Sequence, residues 1–178
     1  MLSLIFLVFL MLLCFSGLLF AGGSDLFSKA GIQRIKDKKE APNFVLENLD
    51  GKKVEIKKLK GKVIFINFWA TWCGPCKEEM PSIEGLHQQF KEKDFIFLTI
   101  SVDYEGINPV KEYIKKYHYT FPVLLDPKCK ALDLYQGVRI PATFIIDKKG
   151  FLVGKVLGTK NWKSPEIISL VNDLFKEK

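Results

Sequence analysis

The sequence predicts an α/β fold, a three-layer α/β/α sandwich in which helices cover both faces of a central mixed sheet. The run 62–69 is apolar almost throughout, as is typical of a strand with both faces covered. Apolar runs then alternate with helical patterns, and a β-α-β order implies parallel strands joined by a right-handed crossover. A hairpin pattern over 143–157, with a turn at Lys148-Lys149-Gly150, adds an antiparallel pair and makes the sheet mixed.

Length and charge narrow the class of protein. The chain has 178 residues, which suits one domain with a substantial core and an appendage. Its net charge is +7, but Arg34 and Arg139 are its only arginines and no aromatic residues interleave a basic patch. Such a lysine excess is typical of a solvated surface, so the sequence does not predict a nucleic-acid-binding protein. Four cysteines are too few for a disulfide-stapled scaffold.

The first 23 residues are expected to be a signal peptide or an N-terminal membrane anchor. Residues 1–21 carry no charge and consist mostly of Leu, Phe and Met. At about 1.5 Å per residue they could cross a hydrocarbon layer of roughly 30 Å. Ala21-Gly22-Gly23 could equally supply the small residues of a cleavage site. Basic residues follow this segment and none precedes it, which by the positive-inside tendency would instead place the domain in the cytoplasm.

The remainder is predicted to be a charged linker, 24–40, and a single domain, 41–178. The linker is rich in charge and has no strong period. The domain opens with a plausible β-hairpin, 44–47 and 54–56, around Asp50-Gly51. Beyond the central strand we expect a helix to about residue 90, then a strand, a helix, a short strand and a small helix at 95–102, 108–117, 121–125 and 129–135.

The C-terminal helix has a defined start in the sequence. Ser164 is the expected N-cap, Pro165 occupies the first helical position and Glu166 lies in the first turn. This helix is predicted to cover the sheet with its apolar side chains.

Cys73 and Cys76 form a C-x-x-C pair where the central strand passes into a helix. Both thiols fall on one helical turn and can close a small disulfide ring. The free N–H groups and partial positive charge of the helix N-terminus favour a thiolate at Cys73, and cysteines in this setting titrate near ~7 instead of ~8.5. Cys73 is therefore the predicted nucleophile, and Cys76 resolves the mixed disulfide.

A lone C-x-x-C pair has other interpretations. A zinc site usually needs a second pair of ligands, and the remaining candidates, Cys129, His87 and His118, are scattered. Haem attachment would need a histidine after Cys76, where Lys77 stands. A purely structural disulfide stays an alternative, although Gly74-Pro75 keeps the turn tight and leaves the first sulfur accessible. We predict no metal and no organic cofactor, and we interpret Cys129 as an incidental thiol.

The stretch Phe68-Trp69-Ala70-Thr71-Trp72-Cys73-Gly74-Pro75-Cys76-Lys77 resembles the active site of thioredoxins, and the chain around it resembles the TlpA/ResA group of extracytoplasmic thiol–disulfide oxidoreductases. The similarity runs from about Ala41 to the C-terminus. Its other pieces are Ala41-Pro42-Asn43-Phe44, Leu49-Asp50-Gly51-Lys52, Leu59-Lys60-Gly61-Lys62, Glu79-Met80-Pro81, Phe121-Pro122-Val123 and Ile140-Pro141-Ala142-Thr143-Phe144.

This resemblance implies a thioredoxin-like sandwich with an N-terminal β-hairpin extension, located in the periplasm or on the outer face of the cytoplasmic membrane. It implies that the protein reduces disulfides in exported proteins, for example apocytochrome c during cytochrome c maturation. A membrane-bound thiol reductase would supply the electrons. The protein is expected to be a monomer, with possible membrane attachment through residues 1–21.

The resemblance also assigns roles to residues around the cysteines. Pro141 would be a cis-proline facing the sulfurs, and the backbone of Ile140 would pair with an extended substrate. Trp72, Gly74 and Pro75 would belong to the surface on which the partner chain rests. Glu79 would be a buried proton acceptor for Cys76.

Asn67 strengthens the assignment to Glu79. Thioredoxins carry a buried aspartate at the matching position, and an amide cannot take a proton. A half-buried carboxyl with a raised pKa could take the Cys76 proton instead, and Glu79 returns to roughly the same face of the helix as Cys76.

Two other functions remain open at this point. The first is a peroxiredoxin-like thiol peroxidase, because the hairpin prefix also fits that branch. Those enzymes need a Pro-x-x-x-Thr-x-x-Cys surround, and here Ile66 stands where the proline should be. The second is a non-catalytic binding module for cysteine-bearing exported chains.

Overall fold

The computed structural model describes residues 25–37 and 39–176, which form eight strands, five α-helices and a 3-10 helix, Ile56–Leu59. The strands are β1 (Gln33–Arg34), β2 (Val45–Asn48), β3 (Lys53–Glu55), β4 (Val63–Trp69), β5 (Phe95–Ser101), β6 (Val123–Leu125), β7 (Ala142–Ile146) and β8 (Leu152–Leu157). The helices are α1 (Leu26–Lys29), α2 (Gly74–Phe90), α3 (Ile107–Tyr117), α4 (Lys130–Leu134) and α5 (Pro165–Leu174).

The expected signal peptide or anchor, 1–23, lies outside the described residues. Within 25–37 and 39–176, no helix combines the length and apolar character needed to cross a bilayer.

The strands make one mixed sheet in the order β1-β8-β7-β4-β5-β6-β2-β3, flanked by helices. β4 runs parallel to β5 on one side and antiparallel to β7 on the other. Every residue of β4 is buried, as its near-continuous apolar run predicts for a strand covered on both faces. The three-layer α/β/α sandwich with a mixed sheet is therefore confirmed, and β4 delivers its carboxyl end to the cysteine pair.

A hairpin of β2 and β3 extends the sheet at the edge beyond β6. The two strands pair antiparallel, with Leu46 opposite Val54, and a turn at Gly51 joins them. β2 also pairs antiparallel with β6, where Glu47 lies opposite Leu125. The hairpin thus continues the central sheet instead of forming a separate unit.

The N-terminal segment is packed on the opposite edge of the sheet, which differs from the expected linker over 24–40. β1 pairs antiparallel with β8, and Phe27 and Ile32 are buried. Gly154 on β8 makes this approach possible, because a Cβ there would lie 3.0 Å from Ile32 and 3.1 Å from Phe27. Residues 26–34 consequently belong to the packed structure, and the expected start of the domain at Ala41 is too late.

The last helix covers the sheet as predicted. The Ser164 hydroxyl accepts a hydrogen bond from the Ile167 amide at 3.4 Å, and Pro165 occupies the first turn. Its buried face consists of Ile167, Leu170, Val171 and Leu174.

Candidate active site

Cys73 and Cys76 lie between the end of β4 at Trp69 and the start of α2 at Gly74. They form a disulfide with a Cα–Cα separation of 5.3 Å, inside the usual range for such bonds. Cys73 is the N-cap of α2, and its Sγ accepts the backbone N–H of Cys76 at 3.2 Å. The Cys76 amide at the start of the helix is thus directed at the Cys73 sulfur, an arrangement that favours negative charge on it.

The Cys73 sulfur is less accessible than the sequence predicts. Cys73 is 6% exposed and Cys76 is fully buried in the disulfide form. The side chains around Cys73 therefore control access of a partner to its sulfur. Among them, Trp72 is 57% exposed. Of the two cysteines, Cys73 remains the one that an incoming partner can reach.

A buried aspartate fixes the loop that carries Trp72 and Cys73. The Asp103 carboxylate follows β5, is 4% exposed and accepts hydrogen bonds from the Thr71 amide at 3.0 Å and from the Thr71 hydroxyl. It also accepts the Ser101 hydroxyl at 2.7 Å. Because Thr71 stands two residues before Cys73, these bonds hold the loop that carries Cys73 against the end of β5.

Glu79 is 1% exposed and is surrounded by N–H donors. Its Oε1 accepts the Asn67 amide at 2.8 Å. Its Oε2 accepts the Trp162 indole N–H and the Lys160 backbone N–H, each at 3.0 Å. The carboxyl that the resemblance assigns to proton transfer is therefore buried one turn after Cys76, on the same face of α2.

The proton affinity of Glu79 reflects two opposing effects. Burial raises its pKa, because the anion loses its hydration. Hydrogen bonds from Trp162, Asn67 and Lys160 lower it, and the net result is a pKa above the ordinary glutamate value. Such a carboxyl holds a proton more strongly than an exposed glutamate, as a proton acceptor for a thiol requires.

Pro141 lies directly before β7, and the Ile140–Pro141 peptide bond is cis. The first residue of β7, Ala142, pairs with Phe68 near the end of β4. This register places Pro141 beside the carboxyl end of β4, from which the cysteine loop departs. The two sequence-distant pieces of the predicted site therefore meet at one end of the sheet.

A shallow groove of about 250 Å³ begins at Trp72, the residue before Cys73, and is also lined by Cys129, Val138 and Ile140, among others. Val138 is 83% exposed, so the groove has an apolar rim. Cys129 lines it as well, but burial, followed by the Asp126 and Asp133 carboxylates, raises the pKa of its thiol. A raised pKa lowers the thiolate fraction of Cys129 and so disfavours it as a nucleophile.

A larger cavity of about 420 Å³ lies between the N-terminal segment, β8 and α5. Its lining includes Phe27, Arg34 and Leu174, and none of the cysteines. It is separate from the chemistry of the disulfide.

The histidines do not join the cysteines. His87 on α2 packs edge-on against Phe97, with ring centroids 5.0 Å apart, and burial lowers its pKa. His118 ends α3 in a left-handed conformation. Across the described ranges, no three His, Cys, Asp or Glu side chains lie together as a metal site would require.

Sequence reasoning missed Asp103, Thr143, Lys160 and Trp162. Thr143 supports Asn67, whose amide reaches the Thr143 hydroxyl at 2.9 Å. Lys160 contributes a backbone N–H, which leaves no mark in a sequence. Trp162 lies 83 residues from Glu79, and only its burial as an indole, which needs an acceptor, could have suggested such a partner.

Known proteins resemble this chain in sequence and in fold. The family model described as AhpC/TSA family matches residues 38–155. The thiol-disulfide oxidoreductase ResA of Bacillus cereus (strain ATCC 10987 / NRS 248) is 37% identical over 155 residues, which cover 87% of this chain and 88% of that protein. ResA of Bacillus subtilis (strain 168) is 41% identical over 130 residues, covering 73% and 72% of the two chains.

Solved structures give the same result. A protein disulfide isomerase structure from Bacteroides thetaiotaomicron matches with a TM-score of 0.67 and 32% identity, covering 82% of this chain and 94% of that one. The thiol:disulfide interchange protein DsbE of Chlorobium tepidum matches in fold with a TM-score of 0.71 and 24% identity, covering 79% and 99%. The chain therefore belongs to the AhpC/TSA family and, within it, is a thiol–disulfide oxidoreductase similar to the ResA proteins over most of its length.

Proposed function

We propose that this protein acts outside the cytoplasm as a reductase of protein disulfides, with Cys73 as nucleophile, Cys76 as resolving cysteine and Glu79 as proton acceptor. The observation that carries this proposal is the buried Glu79 carboxyl, hydrogen-bonded and with a raised pKa, one helical turn after the Cys73–Cys76 pair. A purely structural disulfide has no use for a buried acid at this place, whereas thiol exchange must remove a proton from the second thiol.

The reaction consumes two electrons held by the dithiol. The Cys73 thiolate attacks one sulfur of the partner disulfide, forms a mixed disulfide and releases the other partner sulfur as a thiolate. Cys76 then transfers its proton to Glu79 and attacks the Cys73 sulfur. The second partner sulfur leaves, the partner is a dithiol, and the protein holds the Cys73–Cys76 disulfide.

The surroundings of the pair support an extended protein segment as partner. Trp72 and Val138 present apolar surface along the same groove, and the Ile140 backbone precedes the cis Pro141. An unfolded chain can pair its backbone with that of Ile140 while its side chains rest on Trp72. Gly74 and Pro75 keep the backbone close to the sulfurs without bulky side chains.

We infer the direction of thiol–disulfide exchange and the substrate from the resemblance to the TlpA/ResA group. Potentials of C-x-x-C proteins span roughly −270 to −120 mV. By resemblance, the dipeptide Gly74-Pro75 between the cysteines matches that of proteins at the reducing end of this range. We propose exported apoproteins with a cysteine pair, such as apocytochrome c, as substrates, and a membrane-bound thiol reductase as electron donor. Residues 1–21 would attach the protein to the membrane or direct its export.

Mixed-disulfide trapping tests the proposal as a whole. The Cys76→Ala variant retains Cys73 but cannot resolve the mixed disulfide, so its partners should stay covalently bound in the native cell. We expect exported cysteine-bearing proteins and a membrane thiol reductase among the captured chains, and none with the matched Cys73→Ala variant. Capture of cytoplasmic proteins alone would contradict the proposed location, and an empty trap would contradict the exchange.

The peroxidase alternative has little support at the atoms around Cys73. Ile66 and Ala70 occupy the positions of the proline and the threonine in a Pro-x-x-x-Thr-x-x-Cys surround. Both are completely buried apolar side chains, and neither supplies a hydroxyl for peroxide. Consumption of peroxide by the purified protein without a disulfide substrate would revive this alternative.

A further inference from the structure

Trp162 lies in the loop between β8 and α5 and is fully buried against α2. Its backbone N–H donates to the Ser82 hydroxyl at 3.0 Å, and its indole N–H donates to Glu79 Oε2 at 3.0 Å. The indole ring packs edge-on against Phe65 of β4, with centroids 4.9 Å apart. The residue is therefore held at three points, by its backbone N–H, its indole N–H and its ring, and the indole N–H is aimed at the Glu79 carboxyl.

The two oxygens of Glu79 are placed differently. Oε2 accepts from the Trp162 indole and from the Lys160 amide, both of which can only donate. Oε1 accepts from the Asn67 amide alone among the side chains and amides of the described ranges. A proton placed on Oε2 would face two N–H groups and break at least one hydrogen bond. A proton placed on Oε1 leaves both bonds to the loop intact.

We propose that Trp162 is a positioning residue for the thiol exchange: by holding Glu79 Oε2, it directs the Cys76 proton to Oε1 and sets how readily Glu79 accepts it. This rests on the role proposed for Glu79. In the resolving step the Cys76 S–H bond breaks, its proton goes to Oε1, and the electron pair on the Cys76 sulfur forms the bond to Cys73. The sulfur of the partner leaves with the pair of the broken mixed disulfide.

Among the polar and charged groups near Glu79, Trp162 has the largest effect in lowering the pKa of its carboxyl. Besides Cys76, the other titratable groups of α2 are the exposed Lys77 and Glu78, together with Glu84 and His87, and the loop after β8 carries Lys160 and Lys163. The Lys160 ammonium group is turned to the Gly31 carbonyl at 3.4 Å. The strands β4 and β7 contribute Asn67 and Thr143, which do not titrate. Among the hydrogen bonds that lower the pKa of Glu79, the bond from Trp162 ranks first.

The test follows the second thiol of the reduced, full-length protein. Rapid mixing with dithiobis(nitrobenzoate) places a thionitrobenzoate on Cys73, and attack by Cys76 then releases it in a second phase whose rate is measured against pH. In Trp162→Phe the ring remains but the N–H is lost. We expect the midpoint of this pH–rate profile to move upward by about one pH unit, as for loss of one hydrogen bond to a charged acceptor.

Two controls separate positioning from packing. Phe65→Leu disturbs the contact with the same ring but keeps the indole N–H, so its midpoint should stay at the wild-type pH. In a Glu79→Gln background, Trp162→Phe should have no effect on the profile. An equal shift in Phe65→Leu, or a Trp162→Phe shift that persists in the Glu79→Gln background, would overturn the inference.

A measurement on the unaltered protein covers the case in which Trp162→Phe does not fold. The indole ¹⁵N–¹H resonance of Trp162 should titrate with the same midpoint as the second release phase, and a resonance that does not change with pH would overturn the inference. If Glu79→Gln leaves the profile unchanged, the proposed role of Glu79 itself fails. If Glu79→Gln abolishes the midpoint while the Trp162 resonance and the Trp162→Phe profile do not move, only the positioning role fails.

Discussion

Replacing Asp103 with alanine should destabilise the protein and release the loop that presents Cys73. The substitution removes the acceptor of the Thr71 amide, the Thr71 hydroxyl and the Ser101 hydroxyl. Thr71 is half-buried, so water can replace part of its loss, whereas Ser101 is 1% exposed and keeps an unsatisfied hydroxyl. At about 1–3 kcal/mol for each group left without a partner, we expect the free energy of unfolding to fall by about 3 kcal/mol. For a chain of this length that corresponds to a melting midpoint about 6–12 °C lower.

Urea and thermal unfolding measure this change, and Asp94→Ala is the matched control. Asp94 has the same side chain, but it is 71% exposed and stands 3.8 Å from Lys62, so its removal should cost little. In the reduced, folded Asp103→Ala protein, the rate of alkylation at Cys73 should move towards the rate in the unfolded chain. In Asp94→Ala it should stay at the wild-type rate. If the free energy of unfolding of Asp103→Ala stays within about 0.5 kcal/mol of the wild type, the carboxylate does not anchor the loop and the reasoning is refuted.

Two further predictions concern the same end of the sheet. Because burial raises the pKa of Glu79 in the folded state, this group binds its proton more tightly there than in the unfolded chain. Its contribution to stability should be fully present below the unfolded pKa of about 4.3 and be lost as pH rises through the folded pKa. Glu79→Gln should remove this decline in urea unfolding series, and an unchanged pH dependence would show that Glu79 is not its source. Pro141→Thr should lower disulfide-reductase turnover about tenfold or more while crosslinking of Cys73 rises, because a competing N–H then faces the sulfurs. Turnover equal to that of the wild type would contradict the role proposed for Pro141.

Strong local patterns made most of the fold predictable. The β4 run is apolar on both faces, and the structure buries it on both faces. Ser164 followed by Pro165 marks the start of α5 to the residue, because capping depends on neighbours within one turn. The N-terminal segment gave no such signal. A helix of four residues and a strand of two are too short for a period, and Phe27 and Ile32 lie among charged residues that suggest a linker.

The candidate active site also contains residues that the sequence predicts and residues that it does not. Cys73, Cys76 and Glu79 follow one another at intervals of three residues at the start of one helix, so their spacing alone places them on the same face. Trp162 and the Lys160 amide reach Glu79 from more than 80 residues away, through a loop whose path depends on the assembled sheet. Asp103 reaches Thr71 across 32 residues by the parallel pairing of β4 with β5. Sequence spacing predicts contacts within an element, and the groups that adjust a site from other elements become visible only when the sheet is complete.

The loop after β8 connects the N-terminal segment with the surroundings of Glu79, the two parts of the structure that the sequence did not predict. Thr159 donates to the Pro75 carbonyl at 3.2 Å, Lys160 and Trp162 bind Glu79, and the Lys160 ammonium group reaches the Gly31 carbonyl in the N-terminal segment. The segment that resembled a linker therefore supports the far side of the loop that surrounds Glu79. A domain limit at Ala41 would remove the β1–β8 pairing together with that support. The surroundings of Glu79 consequently depend on residues that precede the AhpC/TSA family match at 38–155, because the same loop touches both.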